Sequence, residues 1–356
     1  MPLEDHALVV GISRYPGIDN LSGPETDANE FFAWVTSKDG GGVDPVNAKR
    51  ILSSDFQPAA TVQNGLPAQQ QIHDFFTAMD ILADENNQKR LGQHAGRRLW
   101  MFFSGHGFAP SLDTSGVLMA NATSKRVYCI GAARWADRLY AGGWFDEVLL
   151  FQDACRARIA AADLDGLFLP LREPSQMRQR NRFYAFSAKD QKLSKEIPFP
   201  DGKVRGVFTA TLLDGLRGAA RDAATGAITA RSLKTYLQDT MQSRLPEADR
   251  DNPEIATEPD IHEFDKFDIV PARTPTVAVA ADLTKFNVDI TLPAANLAVV
   301  LQDGNLQNIR EETPAGTVWS LPLPRGLYRV LATGFDISFK VAGPGTDAGG
   351  LVNVRA

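Results

Sequence analysis

Two continuous apolar runs, each broken off at a polar turn, constrain this chain more than any other feature. Leu99-Trp100-Met101-Phe102-Phe103 stops at Ser104-Gly105-His106-Gly107. Val148-Leu149-Leu150-Phe151 stops at Gln152-Asp153-Ala154-Cys155. Short apolar runs without alternation fit strands buried on both faces, as in a parallel sheet covered by helices. Each run delivers one reactive side chain at its C-terminal end, an imidazole in one case and a thiol in the other. If the two strands are neighbours, both groups meet at the rim of one sheet, where open α/β sheets place their ligands.

The flanking sequence supplies the rest of such a sheet. Ala7-Leu8-Val9-Val10-Gly11-Ile12 and Ala48 to Leu52 read as further strands, and Phe183-Tyr184-Ala185-Phe186-Ser187 as another. Between them lie helical patterns. Thr26, Asn29 and Glu30 mark a helix start before Phe31-Phe32-Ala33-Trp34-Val35, and by spacing alone Asp27 is an ordinary first-turn acid. Behind Pro67, Ile72, Phe75, Phe76, Met79 and Leu82 recur at intervals of three and four. Ala132–Tyr140, Val207–Leu216 and Ser232–Leu245 are also read as helical. Strands alternating with helices predict an α/β fold with a mostly parallel sheet flanked on both faces.

The pattern changes near residue 270. Pro271, Pro275 and Pro293 punctuate short alternating runs such as Phe286-Asn287-Val288-Asp289-Ile290, with later ones at Val318–Leu323, Tyr328–Ala332 and Ile337–Val341. This predicts a small all-β, sandwich-like domain over 271–356, following an α/β domain over 1–270.

Composition narrows the function classes. A formal net charge of −6 argues against a nucleic-acid surface. Two cysteines, Cys129 and Cys155, cannot form a disulfide framework, which suits a reducing compartment. The start Met1-Pro2-Leu3-Glu4-Asp5-His6 lacks signal-peptide character, and no window holds the roughly 20 apolar residues that span a bilayer. A cytoplasmic protein without membrane or nucleic-acid partners is the expectation.

A cysteine attacks a carbonyl as its thiolate and needs a base or a positive field to lower its pKa from about 8.5. His106 can supply the base and later protonate a leaving amine. Gly105 and Gly107 let the backbone pass close to a substrate and leave an amide free for an oxyanion, with Gly107 the candidate donor. Singly, such a Cys is more often a small core residue and such a His a satisfied structural one. Their pairing at two adjacent-looking strand ends favours chemistry. Arg156 and Arg158 read either as cations that keep a thiolate ionised or as a solvated helix start.

Phe103-Ser104-Gly105-His106-Gly107, followed 49 positions after the His by Asp153-Ala154-Cys155, resembles the caspase and metacaspase family of cysteine peptidases, in which the caspase His-to-Cys separation is about 50. Gly11-Ile12 with Tyr15, Asp27-Ala28, Ser187-Ala188-Lys189-Asp190-Gln191 and Phe208-Thr209-Ala210-Thr211-Leu212-Leu213 extend the match over residues 5 to 250. The resemblance implies a caspase-like fold, a His106–Cys155 dyad and peptide cleavage through an acyl-enzyme, with regulated cell death or defence as the setting in which relatives act. Animal caspases carry Gln two residues before the cysteine; here that residue is Asp153. This is similar to metacaspases, in which the corresponding Asp, the first-loop Asp and the Ser of Ser-Gly-His line the specificity pocket. The resemblance therefore assigns Asp27, Ser104 and Asp153 to substrate binding and predicts cleavage after Arg, then Lys. An acid that merely orients the turn is the alternative for Asp153.

Relatives are cut between the cysteine strand and the next core strand, where Arg172, Arg178 and Arg180 stand in a basic run. A solvated loop is the plainer reading of that run, and self-cleavage the other. Some metacaspases require calcium, but Asp190, Glu196 and Asp201 match no EF-hand spacing. No cofactor is required by the sequence and no metal site is assigned. Expected partners are proteins or peptides with exposed Arg or Lys, and a regulatory partner at the C-terminal domain. The competing class is a non-catalytic scaffold that binds through that domain.

Overall fold

The run Ala7–Gly11 does form a strand, and four parallel neighbours and one antiparallel edge build a sheet around it in the computed structural model. The structure describes residues 4–111, 114–159, 163–170, 180–272, 286–304, 307–323, 326–341 and 344–355. The chain divides into two compact units, Met1–Arg273 and Thr274–Ala356. The first begins β1 (Asp5–Gly11), α1 (Pro24–Thr36), β2 (Ala48–Leu52), α2 (Gln69–Gln88) and β3 (Gly96–Ser104). Three short strands follow, β4 (Gly107–Ala109), β5 (Gly116–Leu118) and β6 (Cys129–Ile130), then α3 (Ala132–Ala141) and β7 (Phe145–Asp153). Beyond Cys155 come β8 (Ala157–Arg158), β9 (Asn181–Phe186), the hairpin of β10 (Glu196–Pro198) with β11 (Val204–Gly206), and α4 (Val207–Asp214). The strand pair of β12 (Ile228–Thr229) with β14 (Asp268–Val270), helices α5 (Ala230–Arg244) and α6 (Glu247–Arg250), and β13 (Asp260–Glu263) complete the unit.

The sheet order is β13-β9-β7-β3-β1-β2, all parallel except β13, which runs antiparallel to β9. The apolar runs are continuous because alternate residues face two separate cores. Val9, Phe102 and Phe151 face α1, α4 and α5, where Phe31 stacks on Phe102 with centroids 4.5 Å apart. Val10, Phe103 and Leu150 face α2 and α3, where Phe76 stacks on Trp135 at 4.3 Å. Each fully buried aromatic contributes on the order of 2–3 kcal/mol. Helix α2 buries Ile72, Phe75, Phe76 and Met79, as its period requires, and α5 starts on a reciprocal Thr229–Ser232 cap.

Helix α1 starts differently from the sequence expectation. It begins at Pro24 rather than on a Thr26 cap, and Gly23 offers it no side chain. The turn just before it is held from across the fold: the Glu196 carboxylate accepts from Ser22 N–H and from Gly23 N–H, the latter at 2.8 Å. A strand order that reverses direction between β1 and β3 makes that edge the topological switch point, and α1 opens beside it.

The second unit holds two antiparallel four-stranded sheets. One contains β15 (Phe286–Thr291), β18 (Val318–Leu323), β21 (Gly345–Asp347) and β22 (Val352–Arg355). The other contains β16 (Val299–Asp303), β17 (Asn308–Glu312), β19 (Gly326–Ala332) and β20 (Phe335–Val341). Val288, Ile290 and Trp319 from one sheet and Leu301, Val330 and Phe339 from the other share one buried core. No helix among the described residues is long and apolar enough to cross a membrane.

Candidate active site

The register of β3 on β7 decides where the two reactive groups lie. Ser104 pairs with Asp153, so His106 and Cys155 each stand two residues past a matched pair. The two glycines beside His106 are needed for close approach. A Cβ on Gly105 would lie 2.6 Å from Tyr15 Oη, and one on Gly107 would lie 2.5 Å from the Cys155 carbonyl oxygen. His106 donates its backbone N–H to Tyr15 Oη at 3.0 Å, and the two rings meet edge to face at 4.8 Å. Its Nε2 lies 2.8 Å from the Asp19 carbonyl oxygen. A carbonyl only accepts, so Nε2 carries the hydrogen and Nδ1 is the basic nitrogen of the neutral ring.

Cys155 is half-buried and donates its thiol to the Ser194 carbonyl oxygen, 3.8 Å away. Burial pushes this thiol up, and the nearby Asp153 carboxylate adds to the effect, so the resting group is the neutral thiol. Both arginines that follow it are accounted for by the structure, and neither is a solvated helix start. Arg156 is buried, its guanidinium paired with Asp260 on β13 and lying over the Phe186 ring, while Arg158 is exposed on β8. Cys155 and His106 line one cavity of about 90 Å³, together with Asp27, Ser104, Asp153 and Glu196.

Asp27 and Asp153 are 1% and 5% exposed. Ser104 Oγ donates to Asp27 Oδ2 at 3.0 Å, and Gly206 N–H donates to the same carboxylate at 3.0 Å. Asp153 Oδ2 accepts from Thr209 N–H at 3.0 Å and from its hydroxyl at 2.7 Å, while Oδ1 accepts from Ser194 Oγ at 2.6 Å. Gly206 closes the floor, because a Cβ there would stand 1.9 Å from Asp153 Oδ2. Lys195, on the same lining, is paired with Asp249 at 3.1 Å. Three carboxylates therefore share one small cavity.

A caspase-domain family model matches residues 4–257. The chain belongs to the caspase-like cysteine peptidase family. A probable protease from a Desulfuromonadales bacterium is 30% identical over an alignment of 223 residues that covers 61% of this chain and 26% of the relative. The chain thus spans about a quarter of that relative's length. Among solved structures, caspase-1 from Spodoptera frugiperda is 13% identical with a TM-score of 0.45, covering 77% of this chain and 93% of the other. A structure titled pro-sf-caspase-1 is 12% identical with a TM-score of 0.42, covering 73% and 91%.

Of the residues the sequence singled out, this caspase-family fold brings His106, Cys155, Asp27, Ser104 and Asp153 to one cavity. Gly107 is not on its lining and packs against the Cys155 backbone instead. Arg172 and Arg178 lie outside the described residues. Arg180 donates to the Tyr140 and Ala141 carbonyl oxygens at the end of α3 and covers the Tyr140 ring, so its side chain is already engaged. Asp190 accepts from Gln191, and Asp201 pairs with Arg205. Among the described residues, no group of three His, Cys, Asp or Glu side chains is placed to hold a metal ion. Sequence reasoning missed the roles of Glu196 and Ser194. Glu196 meets Gly23, just before α1, from 173 residues away, a separation that leaves no spacing signal.

The two pocket acids titrate away from the usual carboxylate range. Burial raises Asp27 well above 3.8, with the charge of Asp153 as the second cause, and burial also raises Asp153. Two like charges in one dry site disfavour each other, so the pair holds a proton more tightly than a free carboxylate does. A cation binds best to the fully ionised pair. For a basic peptide, KM is therefore expected to fall as pH rises from the ordinary carboxylate range through the raised pKa of the pair. A KM that stays flat between about pH 4 and pH 8, measured on an arginyl peptide, would contradict this.

Proposed function

We propose that this caspase-family chain is an endopeptidase that cleaves after arginine, and more slowly after lysine, through Cys155 and His106. His106 Nδ1 takes the thiol proton, and the thiolate attacks the scissile carbonyl. The backbone N–H of Gly107, which lies off the cavity lining but packs against the Cys155 backbone, receives the developing oxyanion. His106 then protonates the departing amine, and water hydrolyses the acyl-enzyme by the same route. The observation that supports the specificity is the placing of Asp27, Asp153 and Glu196 in the cavity that also holds the thiol. A guanidinium fork donates to two carboxylates at once, whereas an ammonium is a point charge.

Substrates on this reading are proteins or peptides with accessible Arg or Lys, and the C-terminal unit docks a regulatory partner. Fluorogenic peptides differing only in the residue before the scissile bond test the specificity. Arg is expected to exceed Lys about tenfold in kcat/KM. It should exceed Asp by about 10⁴-fold, because an aspartate would add another anion to an acidic cavity. A clear preference for Asp would overturn the reading.

A further inference from the structure

Ser194 touches both halves of the site. Its carbonyl oxygen accepts the Cys155 thiol, and its hydroxyl donates to Asp153 Oδ1 at 2.6 Å. The loop that carries it is tied down on both sides. Arg156 N–H donates to the Lys192 carbonyl at 2.9 Å, Leu193 N–H to the Glu254 carbonyl at 2.8 Å, and Ala256 N–H to the Leu193 carbonyl at 3.0 Å. The backbone at Lys192 and Leu193 is thus fixed beside Cys155, while the Ser194 peptide that carries the thiol's acceptor is held to the pocket floor by its own side chain. Asp153 Oδ2 is held by two bonds from Thr209, a residue of α4, whereas Oδ1 takes its bond from the serine of the loop.

A guanidinium entering the pocket competes for Oδ1 with a neutral hydroxyl. Both bonds end on the carboxylate, but the guanidinium adds the attraction of a full opposite charge in a buried site and donates through a fork, so the serine loses. We propose that Ser194 is a positioning residue that holds the Cys155 thiol on its carbonyl while the pocket is empty and releases it toward His106 when a basic side chain takes Asp153. The nucleophile is then armed by the substrate it is meant to cleave. This rests on the reading of the cavity as a pocket for a basic side chain.

Alkylation tests it without turnover. N-ethylguanidinium fills only the pocket, and iodoacetamide reports the thiol, since the sulfur displaces iodide from the reagent and loses its proton to solvent. Cys129 is 1% exposed and serves as the unreactive internal reference in the peptide map. In the wild type, saturating N-ethylguanidinium should raise the Cys155 alkylation rate about tenfold, the size of one ordinary hydrogen bond. In Ser194→Ala the rate should start high and gain nothing from the ligand, while Ser194→Thr, which keeps the hydroxyl, should restore the dependence.

A purely structural role would lower the Ser194→Ala rate and leave its ligand ratio like that of the wild type, overturning the proposal. Slowed or unchanged wild-type alkylation by a ligand that competes with arginyl peptide would also overturn it, leaving the pocket reading intact. If N-ethylguanidinium fails to compete at all, the pocket reading falls and takes this proposal with it.

Discussion

Replacing Cys155 with alanine is expected to lower kcat/KM for an arginyl peptide by about 10⁴- to 10⁶-fold, the loss that follows removal of a nucleophile acting in concert with its base. At about 1.4 kcal/mol per decade, that is roughly 6–8 kcal/mol of transition-state stabilisation. Alanine keeps the Cβ and removes one half-buried sulfur whose bond, at 3.8 Å to a carbonyl, is weak. The fold should therefore lose little, and the thermal midpoint should stay within a degree or two of the wild type. His106→Ala should cost a similar factor, and the double variant hardly more, because the two act as one unit. The backbone hold on residue 106 comes from Tyr15 through the main-chain N–H and survives that change. Near-wild-type peptidase activity in a folded Cys155→Ala protein would remove the dyad from the mechanism. A folded wild type with no peptidase activity would instead favour the scaffold alternative.

What the sequence made legible was whatever carries a period or a strand-end signature. Phe102 and Phe103 face opposite cores, so their run reads as apolar throughout, and the chemistry begins where the run stops at Ser104. Helix α2 announces itself through Ile72, Phe76 and Met79. The edge strand β13 did not, because it is four residues long, Asp260-Ile261-His262-Glu263, with only Ile261 buried. In the second unit β17 is exposed at every residue, so it offers no alternation to detect.

The site shows the same division. His106 and Cys155 follow local strand ends, but the third acid, Glu196, joins through contacts with Ser22 and Gly23 that no local pattern encodes. Arg156 misled for a related reason. A charged residue one step past Cys155 reads as exposed or electrostatically active, yet its partner Asp260 is 104 positions away. Long-range pairing overrides the local expectation in each case.

The acidic floor is the part of the site with the strongest conflict between folding and binding, and Asp27→Asn and Asp153→Asn should expose it. Either change removes one charge from the pair and keeps the shape. The hydrogen bonds can be rebuilt around an amide. In Asp27→Asn the side-chain carbonyl can still accept from Gly206 N–H while the new NH₂ donates to Ser104 Oγ. In Asp153→Asn the carbonyl can still serve Thr209 while the NH₂ donates to Ser194 Oγ. Binding does not recover. Taking one carboxylate from a buried guanidinium costs about 3 kcal/mol or more, so kcat/KM for an arginyl peptide should fall at least about a hundredfold.

Stability should move the other way. A carboxylate whose folded pKa is raised binds its proton more tightly in the folded state, so it destabilises the fold increasingly as pH rises above the ordinary value of 3.8, and the cost is absent below it. The neutral amide lacks that cost. Asp27→Asn should therefore melt higher than the wild type near pH 7 and match it near pH 3. Thermal unfolding at the two pH values, set beside kcat/KM, measures both arms. A variant that lost activity and stability together at neutral pH would mean that Asp27 is a structural acid. A gain in stability with a loss of activity is the mark of a charge kept in the core for its ligand.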